Sequence, residues 1–323
     1  MKILFITSTR IGDAVLSTCL LSYLVDKYPG ASFTVACGPL PAPLFESVPR
    51  LEQVITIDKK RFSLHWLPLW AGVVGTSWDL VVDLRASALA WMLRTSSRKV
   101  LRSSEERNTI HRIEELSMLF GLKTVVAPKL WVSKISIDKA ASIMPREGPV
   151  IGLGVTANWL PKIWPAEKFI SLAERLTGPD GFYPSARIAI FGAEQERDLA
   201  NPVLEGIVKK QSIDLVGQND LPTVAACLSS CDLFVGNDSG LMHMAAAVGT
   251  PTVGLFGPSP ARRYGPWGDH CLSVESSPSY EELVCMPDFD HRSPENLMGG
   301  LSIDAVEQAV KDLRTKITCD PNG

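Results

Sequence analysis

Short apolar runs alternate with helix-like segments along this chain, and the alternation occurs twice. In the first half, the runs Ile3–Ile6, Ser32–Ala36, Val54–Ile57 and Leu80–Val82 predict strands, and Ala14–Tyr28 predicts a helix. Residues 109–120 have a further helical pattern. Strands that alternate with helices form parallel sheets covered by helices on both faces. The first half therefore predicts a doubly wound domain.

The same pattern restarts after Pro145–Pro149 (PREGP), the best linker candidate. Strands are predicted at Val150–Leu153, Arg187–Phe191, Ile213–Val216, Leu233–Val235 and Thr252–Phe256. Helices are predicted at Glu167–Leu176, Glu194–Lys210, Pro222–Leu228, Gly240–Val248 and Ile303–Lys316. A chain of 323 residues is too long for one comfortable core. We expect an α/β protein with two facing Rossmann-like domains, residues 1–147 and 148–302.

The N-terminus and the cysteines indicate a cytoplasmic protein. Arg10 and Asp13 follow the first apolar run at once, so that run is a strand rather than a signal peptide. No stretch approaches the roughly 20 apolar residues of a membrane-spanning helix. The seven cysteines are scattered and form no CxxC. They predict buried free thiols rather than a disulfide framework or a metal site.

The charge of the chain is unevenly distributed, although its net value is only −3. Basic residues exceed acidic ones in residues 1–147, and the stretch from Arg94 to Arg112 is especially basic. Such a field attracts an anionic partner. The apolar segment with Trp66, Leu67, Leu69 and Trp70 suits contact with a membrane surface. The alternative for the basic stretch is a solvated face. The alternative for the apolar segment is a helix that covers the sheet.

The most informative residues lie just after the predicted strands, because ligands of open α/β sheets bind beyond the carboxyl ends of the strands. Asp238, Ser239 and Gly240 stand between a strand and a helix. Side-chain oxygens there can cap the helix, and its free amides and dipole favour a phosphate. His243 follows one turn later. The alternative is a plain cap with a packed histidine.

Two further strand ends carry candidate contacts to a nucleotide. Thr156 and Lys162 follow the strand Val150–Leu153, and a lysine there would be a point charge on a phosphate. The alternative for Lys162 is a surface lysine. Glu194 follows the strand Arg187–Phe191. Its carboxylate suits a ribose hydroxyl, or it compensates the dipole of the next helix.

The N-terminal strand leads into the loop Thr7–Asp13, which lacks the GxGxxG fingerprint. A nicotinamide oxidoreductase is therefore disfavoured. Asp13 begins a helix, so it is either an N-cap or a general base in the interdomain cleft.

Together these residues resemble the pattern of glycosyltransferase family 9, the ADP-heptose:lipopolysaccharide heptosyltransferases. The similarity rests on Ile11-Gly12-Asp13, Lys162-Ile163-Trp164-Pro165, Gly192-Ala193-Glu194-x-Glu196, Asp238-Ser239-Gly240-x-x-His243-x-Ala245-Ala246 and Leu255-Phe256-Gly257-Pro258. The resemblance implies a GT-B fold with two facing Rossmann-like domains. It implies that Asp13 is the acceptor-side acid and that Lys162 also serves catalysis. It implies that the nucleotide sugar contacts Thr156, Lys162, Glu194, Asp238, Ser239, Gly240 and His243.

The implied reaction is metal-independent, inverting transfer of a heptose from an ADP-sugar to an acceptor of the lipopolysaccharide-core type. The implied partners are a nucleotide-sugar donor and an anionic glycolipid, with no nucleic acid and no cofactor. Peripheral contact of this cytoplasmic protein with the inner membrane is a further expectation. In such folds the C-terminal helix often crosses back to the first domain. The resemblance therefore implies this position for the helix Ile303–Lys316. The alternatives are an epimerase of the GT-B class and a non-catalytic nucleotide-sugar-binding protein.

Overall fold

The structure is a computed structural model that describes residues 1–58, 66–102, 109–145, 147–286 and 295–319. The chain forms two compact units, Met1–Ser133 and Lys134–Gly323.

The first unit contains a five-stranded sheet in the order β3-β2-β1-β4-β5, and neighbouring strands are parallel. Its strands are β1 (Lys2–Ile6), β2 (Ser32–Cys37), β3 (Leu51–Thr56), β4 (Trp78–Asp83) and β5 (Thr95–Val100). Strands β1 to β4 confirm the four strands that were predicted for the first half of the chain. The edge strand β5 was not predicted, because its sequence TSSRKV has no apolar run.

The helices of the first unit cover its sheet. They are α1 (Ile11–Lys27), α2 (Trp66–Val73), α3 (Leu89–Met92) and α4 (Arg112–Met118). Leu69 of α2 and Leu89 of α3 pack in one core cluster with Leu4 and Val81 of the sheet. The apolar segment Trp66–Trp70 is therefore a covering helix, although its Leu67 is 59% exposed.

The second unit contains a six-stranded parallel sheet in the order β11-β10-β9-β6-β7-β8. Its strands are β6 (Val150–Gly154), β7 (Arg187–Phe191), β8 (Ser212–Asp214), β9 (Leu233–Asn237), β10 (Thr252–Phe256) and β11 (Cys271–Glu275). Its helices are α5 (Lys134–Ile143), α6 (Ala166–Thr177), α7 (Arg197–Gly206), α8 (Leu221–Leu228), α9 (Gly240–Ala247), α10 (Ala261–Tyr264), α11 (Tyr280–Val284) and α12 (Ile303–Cys319).

Two helices of the second unit differ in placement from the expectation. Helix α5 packs against α8, so the units divide after Ser133 rather than after residue 147. Helix α12 packs on α6 and β11, and its apolar stripe at Val306, Val310 and Leu313 lies in the second core. The helical spacing of this stripe turns all three side chains toward the core of the second unit.

All seven cysteines are free, and four of them are buried. The prediction of buried thiols is wrong for Cys285 and Cys319, which are exposed. No helix in the described ranges combines the length and the apolar character needed to cross a bilayer. Among the same residues, no group of three or more His, Cys, Asp or Glu is arranged to hold a metal ion.

Candidate active site

The start of α9 offers several hydrogen-bonding groups for which the described part of the chain supplies no partner. Ser239 is the N-cap residue, but its side chain makes no capping hydrogen bond. The amides of the first helical turn have no partner within the helix. The Ser239 Oγ and Asn237 Nδ2 atoms are buried and have no hydrogen-bond partner among the described residues. A buried polar group without a hydrogen bond lowers stability by about 1–3 kcal/mol, so this position suits a polar ligand.

Lys162 lies at the start of α9, although it belongs to a distant loop. It ends a short 3-10 turn, Leu160–Lys162, and its Nζ forms an ion pair with Oδ2 of Asp238. The side chains of Lys162 and Asp238 are only 20% and 8% exposed. The ring of Trp159 lies 5.9 Å from the ammonium group. Lys162 is therefore held at the candidate phosphate site and is not a solvated surface lysine.

Asp238 lies between two nitrogen-bearing side chains. Its Oδ2 pairs with Lys162, and its Oδ1 lies 4.0 Å from Nε2 of the buried His243. The backbone of Asp238 is fixed by a hydrogen bond from its N–H to the carbonyl of Leu255, at 3.1 Å. Because a carboxylate repels a phosphate, we interpret Asp238 as the residue that positions the ammonium and imidazole groups.

Trp164 anchors the loop that carries Lys162. Its backbone N–H donates to Oδ1 of Asn237 at 2.9 Å, which ties the loop to the end of β9. Its buried ring packs edge-on against Phe169, with centroids 5.0 Å apart. Its Nε1 donates to the carbonyl of Leu301 at 3.0 Å. The tryptophan of the Lys-Ile-Trp-Pro motif thus fixes the position of the lysine.

Two glycines bring the carboxyl ends of β6 and β9 close together. Gly154 pairs with Gly236 in the parallel register of these strands. A Cβ atom at Gly154 or Gly236 would lie 2.6 or 2.7 Å from the ring of Phe234. Larger residues would clash there, so the loops that follow the two strands start side by side.

Thr156 follows β6 and is almost fully buried, with 1% exposure. Its hydroxyl donates to Oε2 of Glu196 at 2.6 Å, and the same oxygen accepts from the N–H of Ala193 at 3.1 Å. Thr156 and Glu196 therefore brace the loops after β6 and β7 against each other. The role of Glu196 was not predicted. Its position three residues after Ala193, from which its carboxylate reaches back to the Ala193 N–H, was the available signal.

Glu194 opens the short 3-10 turn Glu194–Glu196 and is exposed. Its carboxylate makes no hydrogen bond or ion pair within the part of the chain that the structure describes. Its backbone is packed against Gly217, where a Cβ atom would lie 2.5 Å from the Glu194 Cα. Gly217 has a φ of 66°, which also favours glycine. The loop thus holds Glu194 at the strand end, with its side chain toward solvent.

Asp13 lies in the first turn of α1 and is half-buried. The N-cap position belongs to Arg10, so the interpretation of Asp13 as the cap is wrong. Within the described ranges, its carboxylate has no hydrogen-bond or ion-pair partner. The loop before α1 is fixed by a hydrogen bond from Gly38 N–H to Ser8 O at 3.1 Å. The carboxylate is therefore available to accept a proton.

The basic stretch from Arg94 to Arg112 is not one free charged face. Arg98 donates to the carbonyls of Ala90 and Leu93, at 2.7 and 2.8 Å. Arg112 pairs with Glu115 at 2.6 Å. The exposed members are Arg94 and Arg102, whereas Arg107 lies outside the described residues. An anionic partner at this stretch stays a prediction.

Solved structures share this fold over nearly the whole chain. The structure of E. coli ADP-heptose LPS heptosyltransferase II covers 98% of this chain and 100% of its own, with a TM-score of 0.77 and 20% identity. A glycosyltransferase family 9 protein from Veillonella parvula covers 98% and 97%, with the same TM-score and 23% identity. These likenesses confirm the predicted GT-B fold class.

Sequence comparison gives the family. Lipopolysaccharide heptosyltransferase 2 of Salmonella typhimurium is 25% identical over 306 residues, covering 80% of this chain and 83% of its own. Lipooligosaccharide heptosyltransferase 2 of Campylobacter jejuni is 24% identical over 329 residues, covering 98% and 100%. The sequence model of glycosyltransferase family 9 (heptosyltransferase) matches residues 84–298. The chain belongs to this family and is a glycosyltransferase.

Proposed function

We propose that this chain transfers a heptose from ADP-heptose to a lipopolysaccharide-core acceptor, with inversion at the sugar carbon and without a metal ion. The family and the names of its relatives support the sugar and the acceptor class. The observation that carries the proposal is the arrangement of Lys162, Asp238 and His243 around the uncapped start of α9.

The donor diphosphate binds at this helix start. First-turn amides from Gly240 onward and the Ser239 hydroxyl donate to phosphate oxygens, and the helix dipole favours the negative charge. Negative charge develops on the departing ADP as the glycosidic bond breaks. Lys162 and His243, held in place by Asp238, stabilise that charge in a largely buried setting. These groups supply the positive potential that a divalent ion supplies in other enzymes.

Asp13 takes the proton from the acceptor hydroxyl as that oxygen attacks the face of the sugar opposite the leaving group. Its half-buried carboxylate in the first turn of α1, which has no hydrogen-bond or ion-pair partner among the described residues, supports this role. General-base catalysis of this kind contributes about 10²–10⁴-fold to the rate.

In the second unit, the Glu194 carboxylate accepts a hydrogen bond from a ribose hydroxyl of the donor. The Thr156 hydroxyl donates its proton to Glu196. Thr156 therefore contacts the donor as a hydrogen-bond acceptor, through its Oγ1 atom.

The acceptor is an anionic glycolipid, so the enzyme works at the inner surface of a membrane. Peripheral contact with the membrane belongs to this proposal, and exposed Leu67 and Arg94 of the first unit support it. Binding to anionic vesicles at low salt, lost on adding salt, is the expected result. Absence of binding to such vesicles at low salt contradicts this part of the proposal.

The test is an assay of purified protein with ADP-heptose and a heptose-deficient lipopolysaccharide acceptor, with and without EDTA. The proposal predicts an acceptor heavier by one heptose, release of ADP, inverted anomeric configuration and equal rates with the chelator. Conversion of the donor to an isomer without acceptor indicates an epimerase. Binding of the donor without turnover indicates a non-catalytic protein. Transfer only from UDP- or GDP-sugars contradicts the assignment of the donor.

A further inference from the structure

A loop in the first unit lies beside the loop that leads to Asp13. The last residue of β4, Asp83, pairs with Ile6, the last residue of β1. The N–H of Leu84 donates to the carbonyl of Ile6 at 3.0 Å. The loop of residues 84–88 and the loop of residues 7–10 therefore leave the same edge of the sheet from adjacent strands.

The 84–88 loop has a fixed shape. The fully buried carboxylate of Asp83 accepts from the N–H groups of Arg85 and Ser87, both at 2.8 Å. It also accepts from the Ser87 hydroxyl at 2.6 Å. Ala86, between them, has a φ of 51°, which few residues other than glycine adopt. Three hydrogen bonds to one carboxylate hold the loop in this strained form.

The side chain that this loop displays is that of Arg85. It is half-buried, and its guanidinium carbon lies 5.6 Å from the centroid of the Trp66 ring. Among the described residues, the Arg85 guanidinium makes no hydrogen bond or ion pair. Arg98 and Arg112, in contrast, donate to carbonyl and carboxylate oxygens. The oxygens of Asp83 are already occupied by the backbone and hydroxyl of its own loop.

A planar guanidinium with unused donors binds carboxylates and phosphates in a bidentate manner. We propose that Arg85 binds an acidic group of the acceptor, a carboxylate or a phosphate, and so directs the acceptor hydroxyl toward Asp13. Arg85 is then a determinant of acceptor specificity. This inference rests on the proposed glycosyl transfer, because it assigns the acceptor side of that reaction.

Steady-state kinetics of Arg85→Ala and Arg85→Lys test the inference. The Michaelis constant for the acceptor should rise by about 10- to 100-fold in the alanine variant, as expected for loss of a charge-assisted hydrogen bond. Lysine should restore only part of the loss, since it lacks the planar fork. The Michaelis constant for the donor should not change. Arg50→Ala is the matched control, because Arg50 is exposed and precedes β3, at the opposite ends of the strands.

Modified acceptors identify the acidic group. One acceptor is enzymatically dephosphorylated, and in another the carboxylates are reduced to alcohols. The wild-type protein should bind the acceptor that lacks the recognised group less tightly than the unmodified acceptor. Arg85→Ala should bind the two acceptors equally. An acceptor Michaelis constant that rises as much in Arg50→Ala as in Arg85→Ala, or one that is unchanged in Arg85→Ala, would overturn the inference.

Calorimetric titration with acceptor alone separates this inference from the proposed function. Weaker acceptor binding by Arg85→Ala than by the wild type supports Arg85 even if no sugar is transferred from ADP-heptose. Equal binding by the two proteins, or no acceptor binding by either, refutes the role of Arg85 even if transfer occurs. Thermal unfolding of each variant shows whether the fold is intact.

Discussion

Lys162 and Asp238 form an ion pair at the start of α9, although 76 residues separate them in the chain. The pair joins the loop after β6 to the loop after β9. It places an ammonium group beside uncapped helix amides. Without Asp238, a flexible lysine would have many other conformations, so the carboxylate makes the site rigid before any ligand binds.

Substitution Lys162→Met should weaken binding of ADP by about 10- to 100-fold, because a charge-assisted contact to phosphate is lost. Calorimetric titration with ADP measures the effect. Lys139→Met is the matched control, since Lys139 also pairs with an aspartate, Asp220, but is exposed. An unchanged dissociation constant in Lys162→Met would remove the lysine from the phosphate site.

The coupling between Lys162 and Asp238 should be visible in stability. A double-mutant cycle with Lys162→Met and Asp238→Asn should give a coupling free energy of about 1–3 kcal/mol, because the pair is largely buried. The same cycle at Lys139 and Asp220 should give about 0–1 kcal/mol. Urea denaturation of the single and double variants measures both. Equal coupling in the two pairs would show that the buried pair does not position the lysine.

Asp13→Asn should lower kcat by about 10²–10⁴-fold, since the base is lost while the shape of the residue is kept. Binding of ADP should stay unchanged. Asp26→Asn on the same helix is the control, because Asp26 is exposed at the other end of α1. Rapid-quench measurement of a single turnover isolates the chemical step. Turnover by Asp13→Asn at the wild-type rate would exclude Asp13 as the base.

The thiols should differ sharply in reactivity. Burial raises the pKa of Cys19 and of Cys37 to about 12, so both stay protonated at neutral pH. Exposed Cys285 and Cys319 should react with a disulfide reagent within minutes at pH 8, and the other five only after unfolding. Mass spectrometry of labelled peptides identifies the sites. Rapid labelling of Cys19 in the folded protein would contradict its burial.

Cys37 should also make stability depend on alkaline pH. Its pKa is about 12 in the folded protein against 9.0 for an ordinary thiol, so the unfolded chain loses this proton first. The contribution is fully present below pH 9 and declines between pH 9 and 12, by about 1.4 kcal/mol per pH unit. The slope of unfolding free energy against pH should be shallower in Cys37→Ala by this amount. Parallel slopes would contradict the raised pKa.

The central strands could be predicted from the sequence, whereas two of the four edge strands, β5 and β11, could not. Strands β1 and β9 are buried and read as continuous apolar runs. The edge strands β5 and β11 have mixed, partly exposed sequences, since edge strands carry polar residues that prevent aggregation. Helix α5 was missed for a related reason. Its Ile135 and Ile137 are exposed, so its apolar residues do not mark one buried face.

The strand-end motifs led to the candidate donor site, but the sequence did not show which side chains pair with each other. The contact of Thr156 with Glu196 spans 40 residues, and it appears only when β6 and β7 are adjacent. Arg85 was not singled out because its importance depends on the neighbouring strand β1 and on the ring of Trp66. Such partners are set by sheet order, which no local pattern encodes.

The most direct test of the central claim is a crystal structure of the protein with ADP. The diphosphate should accept hydrogen bonds of about 2.7–3.2 Å from the first-turn amides of α9 and the Lys162 ammonium. His243 should face the same phosphates. Phosphates bound elsewhere, with residues 238–243 making no contact to the nucleotide, would contradict the claim that the start of α9 is the donor site.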